Sequence, residues 1–129
     1  MNGYLLLSGA VAAFMLVGHC TIGRKQFFLP MLEVSFDATS KRVMEFVWHM
    51  ATASLVLPPL ALFYAGTMPT VDPTMRLLVA FVAAQFAAWG LVHLSLVATS
   101  GLPGAIYRMF QWSLFLIVAA SAAAGLLIP

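Results

Sequence analysis

His19, His49, His93 and Gln111 fall on four separate apolar segments. Counted from the segment ends at 1.5 Å per residue, all four lie roughly 6–11 Å below the same membrane face. An imidazole in hydrocarbon is costly unless it is paired, ligated or hydrated, so this shared layer marks a functional site. Three chemistries suit these residue types. Neutral imidazole binds zinc, copper, iron and nickel, and catalytic zinc keeps three protein ligands with one open position, so His19, His49 and His93 could form a metal-ligand set. Glu45, one turn from His49, would then orient the ring or act as general base, and Trp48 would wall the site. Alternatively, two histidines on facing helices hold one b-type haem, with its propionates at Arg24, Lys41, Arg42 or Arg108. The third reading needs no ligand: the imidazoles hydrogen-bond between helices, each contributing about 0.6–2 kcal/mol. Met15, Met44, Met50, Met109 and Cys20 add soft donors near the layer, which would suit copper(I), although methionine is also ordinary packing.

The elements that must position these groups are read from hydropathy. Of 129 residues, 63% are hydrophobic and 8% charged, and the mean hydropathy is +1.01. Soluble domains carry about 25% charged residues, so this composition cannot cover a soluble surface. Four apolar stretches, roughly 4–22, 43–65, 75–98 and 104–128, each match the ~20 residues needed to cross ~30 Å of hydrocarbon as helix. Helices alone keep every backbone group bonded in lipid here, since no alternating barrel pattern is present. The expected fold is all-α, a single domain over 1–129 forming an up-down-up-down four-helix transmembrane bundle. Each helix carries a small or polar stripe suited to helix contacts. The stripes are Ser8, Ala12, Met15 and His19; Glu45, His49 and Thr52; Gln85, Trp89 and His93; and Gln111, Val118, Ser121 and Gly125.

Turn residues set the connections. Gly23-Arg24-Lys25 is expected to end the first span, with the Pro30 and Phe-rich stretch after it lying at the interface. Thr39 or Ser40 is expected to cap the second helix, Pro73 to enter the third, and "TSGLPG" to turn into the fourth. Pro58-Pro59 is expected to interrupt the second helix in mid-membrane. The first span lacks the basic start and small-residue cleavage site of a signal peptide, so it is read as retained. Arg24, Lys25, Lys41, Arg42 and Arg108 flank one face against Arg76 on the other. The positive-inside rule therefore puts the 23–42 loop in the cytoplasm and both termini outside. The net charge of +2 comes from these few loop residues, so it speaks for membrane lipids as partners and not for nucleic acid. Cys20 is the single cysteine, which excludes an intrachain disulfide.

"LVGHCTIGRKQFFLPML", "VMEFVWHMAT" and "FQWSLFLIVAA" resemble segments of a family of small, uncharacterised bacterial four-span membrane proteins. The family's histidine closing span one, Trp-His pair in span two and Gln entering span four correspond to His19, Trp48-His49 and Gln111; His93 lies outside these motifs. The resemblance implies the bacterial inner membrane and carries no activity with it. Small multidrug transporters have a first-span glutamate that is absent here, and four-span fluoride channels a Gly-rich first-span motif that is also absent. Four-span cytochromes b furnish both leaflets with histidines, whereas this chain furnishes one. The expected function is one metal or haem site with a redox or hydrolytic role. Two other classes stand beside it: a non-catalytic accessory subunit of a larger membrane complex, and a small homo-oligomeric transporter.

Overall fold

The computed structural model describes residues 1–128, and within them the chain is helical with no strand. The helices are α1 (Gly3–Gly18), a π-helical stretch (His19–Phe28), α2 (Leu29–Glu33), α3 (Ala38–Thr67), α4 (Pro73–Thr99), α5 (Ala105–Arg108) and α6 (Gln111–Leu127). Three runs are long and apolar enough to cross a membrane: Gly3–Glu33, Ala38–Thr67 and Pro73–Thr99. By length and hydropathy this is a membrane protein. The fourth apolar helix, α6, is shorter, at 17 residues.

Several ends differ from expectation. The first span does not stop at Gly23-Arg24-Lys25 but runs unbroken for 31 residues to Glu33. It continues because its winding widens: the Leu29 N–H bonds to the Arg24 carbonyl, five residues back, which is the π register. Pro30 then falls in the first turn of α2, where its missing N–H matters least. At α3 the cap is Asp37, not Thr39 or Ser40; its carboxylate accepts from the Ser40 N–H at 2.9 Å. Pro58 and Pro59 lie buried within α3 and do not end it. The stretch expected as one span over 104–128 is split, because Met109 leaves helical geometry (φ −116°, ψ 51°) after α5. The tight turn before it is as expected, with Gly101 and Gly104 at φ 65° and 70°, a region that disfavours a Cβ. Pro73 opens α4 beneath an Asp72 cap.

The closest packing runs in the order α3, α1, α6, α4. Lipid is as apolar as leucine, so these contacts depend on close approach and interhelical hydrogen bonds. At Gly66 a Cβ would stand 2.8 Å from Leu6 Cδ2, and at Gly90 one would stand 2.7 Å from Leu116 Cδ2. The buried hydroxyl of Ser8 donates to the Val118 carbonyl at 2.9 Å, joining α1 to α6. At the termini Asn2 gathers three helices. Its side-chain oxygen caps α1 at the Tyr4 and Leu5 N–H groups, and its amide donates to Gly125 O at 2.7 Å. Its backbone N–H reaches Gly66 O at 2.8 Å. Large apolar side chains such as Leu57 and Leu77, 70% and 72% exposed, face outward.

Candidate functional site

At the basic end of the molecule the π-helical stretch meets α3. His19 and Phe28 are nine residues apart, which is about two and a half turns of α-helix, on opposite faces. Winding with i→i+5 bonds makes the same separation roughly two whole turns and returns both to one face. Trp48 uses that alignment. Its indole stacks on His19 with centroids 4.0 Å apart and planes at 17°. Against its other face lies Phe28, at 5.0 Å and 21°. Gly23, between the two in sequence, gives the ring room, since a Cβ there would stand 3.3 Å from Trp48 Cη2. His49 meets the edge of Phe28 at 5.5 Å and 73°.

The proton positions follow from the hydrogen bonds. The Thr52 hydroxyl donates to the Trp48 carbonyl at 3.0 Å. Its oxygen is then left to accept from His19 Nε2, 2.9 Å away. The tautomer with its proton on Nε2 satisfies both bonds, donating to Thr52 and leaving Nδ1 as the ring's acceptor.

Beside His19 and Trp48 lies a cavity of about 300 Å³, at the lower end of the ~300–1,000 Å³ of small-molecule sites. All four long elements contribute to it: His19 and Gly18 from the first run, Trp48 from α3, His93 from α4, and Gln111 and Leu114 from α6. His93 is half-buried and tilts over Phe115 at 6.1 Å and 56°. Gln111 opens α6 and is half-buried, but its Oε1 is fully buried and has no hydrogen-bond partner among the described residues. An acceptor buried in this way loses about 1–3 kcal/mol of solvation with nothing in return. Arg108 is the one charged side chain in the described wall. The turn that carries it is fastened by Trp112 Nε1, which donates to Ile106 O at 3.2 Å.

The four expected site residues are thus divided. His19, His93 and Gln111 line one cavity, while His49 is exposed on α3 and lies outside it. The inward stripe of α3 runs through Glu45, Trp48, Thr52 and Leu55, so Glu45 and Thr52 share the expected face while His49 lies one position off it. Glu45 does not orient His49: its carboxylate accepts from Arg42 Nη1 at 2.6 Å. Among the described residues no group of three or more His, Cys, Asp or Glu side chains is placed to hold a metal ion. The expected stripes on α1 and α6 do face inward, with Ser8, Ala12, Met15, Val118, Ser121 and Gly125 all buried. Sequence reasoning missed Phe28 and Gly23, whose part depends on π winding, and it gave Trp48 and Thr52 lesser parts than they play. No protein-family model, curated protein or solved structure matches the chain.

Proposed function

We propose that this is a bacterial inner-membrane protein, a four-helix bundle running up-down-up-down. Its basic-end cavity binds one small amphiphilic molecule that donates a hydrogen bond to Gln111. The observation that carries this reading is the buried Gln111 Oε1, which has no partner among the described residues and belongs to a mostly apolar wall that also holds His93. A ligand hydroxyl would satisfy it, and apolar walls with a few convergent polar groups are the usual form of such sites. The resemblance carried by His19, Trp48-His49 and Gln111 supports the bacterial inner membrane. Basic residues there, five against Arg76, support a cytoplasmic placement with both termini outside.

A bound metal has weaker support, because no group of three or more His, Cys, Asp or Glu side chains among the described residues is placed to hold one and His49 is exposed, outside the cavity. The accessory-subunit reading draws on the exposed His49, an unusual side chain to leave toward lipid.

The test is scintillation-proximity binding of tritiated 1-monoacylglycerol to the purified protein in nonionic detergent. One saturable site per chain, weakened by Gln111→Leu, is expected. Binding that never saturates and ignores Gln111→Leu would overturn the reading. A Soret band or stoichiometric metal in protein purified from its native membrane would replace it with a haem or metal site. Topology is tested separately by Ala38→Cys in a Cys20→Ser background, where labelling from the periplasm alone would invert the assignment.

A further inference from the structure

The described cavity wall holds one charged side chain, the exposed Arg108, which has no counter-ion among the described residues. Arg108 lines the cavity, and the single ion pair among the described residues is Arg42 with Glu45. No acidic side chain lies in the described wall. Arg108 ends α5, and the cavity continues through Phe110 and Gln111 at the start of α6. That start has no side-chain cap, in contrast to the Asn2, Asp37 and Asp72 caps of α1, α3 and α4. The Ser113 N–H there bonds back to the Phe110 carbonyl at 3.0 Å, and the helix start adds partial positive charge beside Arg108. The rest of the wall is supplied largely by apolar side chains, among them Phe14, Met15, Leu55 and Leu114. The same cavity therefore offers a guanidinium, one orphan acceptor and an apolar chamber.

Resting on the reading of this cavity as a ligand site, we infer that its ligand is a single-tailed anionic amphiphile of the monoacylglycerol phosphate class. The phosphate meets Arg108, a glycerol hydroxyl donates to Gln111 Oε1, and the acyl chain fills the space beside His19 and Leu114. Each part of this ligand answers one feature of the wall. A free fatty acid supplies the anion without the hydroxyl, and a monoacylglycerol supplies the hydroxyl without the anion. Guanidinium–phosphate contacts are charge-assisted and directional, and at a partly open mouth they weaken as salt screens them.

The experiment measures the binding of 1-monoacylglycerol and of 1-monoacylglycerol 3-phosphate, with the same chain, to the full protein in nonionic detergent. At low salt the phosphate is expected to bind at least tenfold tighter, and added salt should narrow the gap. Arg108→Gln should bring the phosphate down to the affinity of the neutral lipid. Its helical circular dichroism should match that of the wild type, which shows that the variant is folded. Equal affinity of the two lipids for the wild type would overturn the anionic assignment while leaving the cavity reading standing. Failure of both lipids to bind saturably would remove the cavity reading itself. An Arg108→Gln variant that loses both lipids equally would make Arg108 structural and overturn the inference. Glycerol 3-phosphate serves as competitor: displacement at concentrations matching the lipid would place recognition in the headgroup alone and overturn the single-tail assignment.

Discussion

Replacing Trp48 by alanine removes two stacked contacts at once, on His19 at 4.0 Å and on Phe28 at 5.0 Å. Aromatic pairs contribute about 0.5–1.5 kcal/mol each beyond area burial, so the two together amount to about 1–3 kcal/mol. A void also opens beside Gly23, where the ring edge now sits. Aromatic-to-alanine changes in cores cost about 3–5 kcal/mol, and Trp48 is only half-buried. The expected loss is therefore on the order of 2–4 kcal/mol, with Trp48→Phe losing about half or less because one ring remains to stack. The Thr52 bond to the Trp48 carbonyl is a backbone contact and survives. Equilibrium unfolding in mixed micelles of rising SDS content measures the loss. A double-mutant cycle with His19→Ala isolates the stack, with an expected coupling of about 0.5–1.5 kcal/mol. Hydrogen exchange should accelerate chiefly over 19–28, the segment whose wide winding the indole wedges open. The reasoning is refuted if Trp48→Ala stays within about 0.5 kcal/mol of wild type, the size of an ordinary surface change, and shows no coupling to His19.

Two glycines should respond to alanine with opposite sign in the same unfolding assay. Gly18 has helical dihedrals and open space where a Cβ would go, so Gly18→Ala should stabilise by roughly 0.5–1 kcal/mol. Gly66→Ala would place a Cβ 2.8 Å from Leu6 Cδ2 and 3.1 Å from the Leu6 backbone nitrogen, and it should destabilise by about 1–3 kcal/mol. Asp37 predicts a pH effect at the start of α3. The Ser40 side chain and the Ser40 N–H hold its carboxyl below the usual aspartate value. A depressed value stabilises the cap above the ordinary aspartate range, near ~3.9, and the stabilisation is lost as pH falls through the lowered value. Protection of the 38–41 amides relative to their intrinsic exchange should drop across that fall in wild type and stay flat in Asp37→Asn, which keeps a capping oxygen.

Hydropathy located the helices because a bilayer imposes a length and an apolar composition that the residues must display. The inward stripes of α1 and α6 were legible for a related reason: small and hydroxyl residues at Ser8, Ala12, Val118 and Ser121 recur at α-helical spacing. The same arithmetic misplaced the site on α3 and past His19. Depth along a helix is linear in sequence, so His19, His93 and Gln111 could be assigned one layer. Azimuth is not, once the winding changes, and nothing in the residues from His19 to Phe28 announces a π register. His49 shares the layer but sits one position off the inward face that Trp48 and Thr52 define. Glu45 looked like a partner for His49 by spacing alone, yet Arg42, three residues before it, offers a closer charge. The tie at Asn2 was invisible because it depends on where three helix ends meet.

The most direct test of the central claim is native mass spectrometry of the protein released gently from its own membrane. The wild-type chain should carry one non-covalent molecule, with a mass in the range of a single-tailed amphiphile. Leu114→Trp, which fills the cavity beside Gln111 from within α6, should carry none while retaining its helical circular dichroism. A wild-type chain that carries nothing, or a Leu114→Trp chain that keeps the same adduct, would contradict the account.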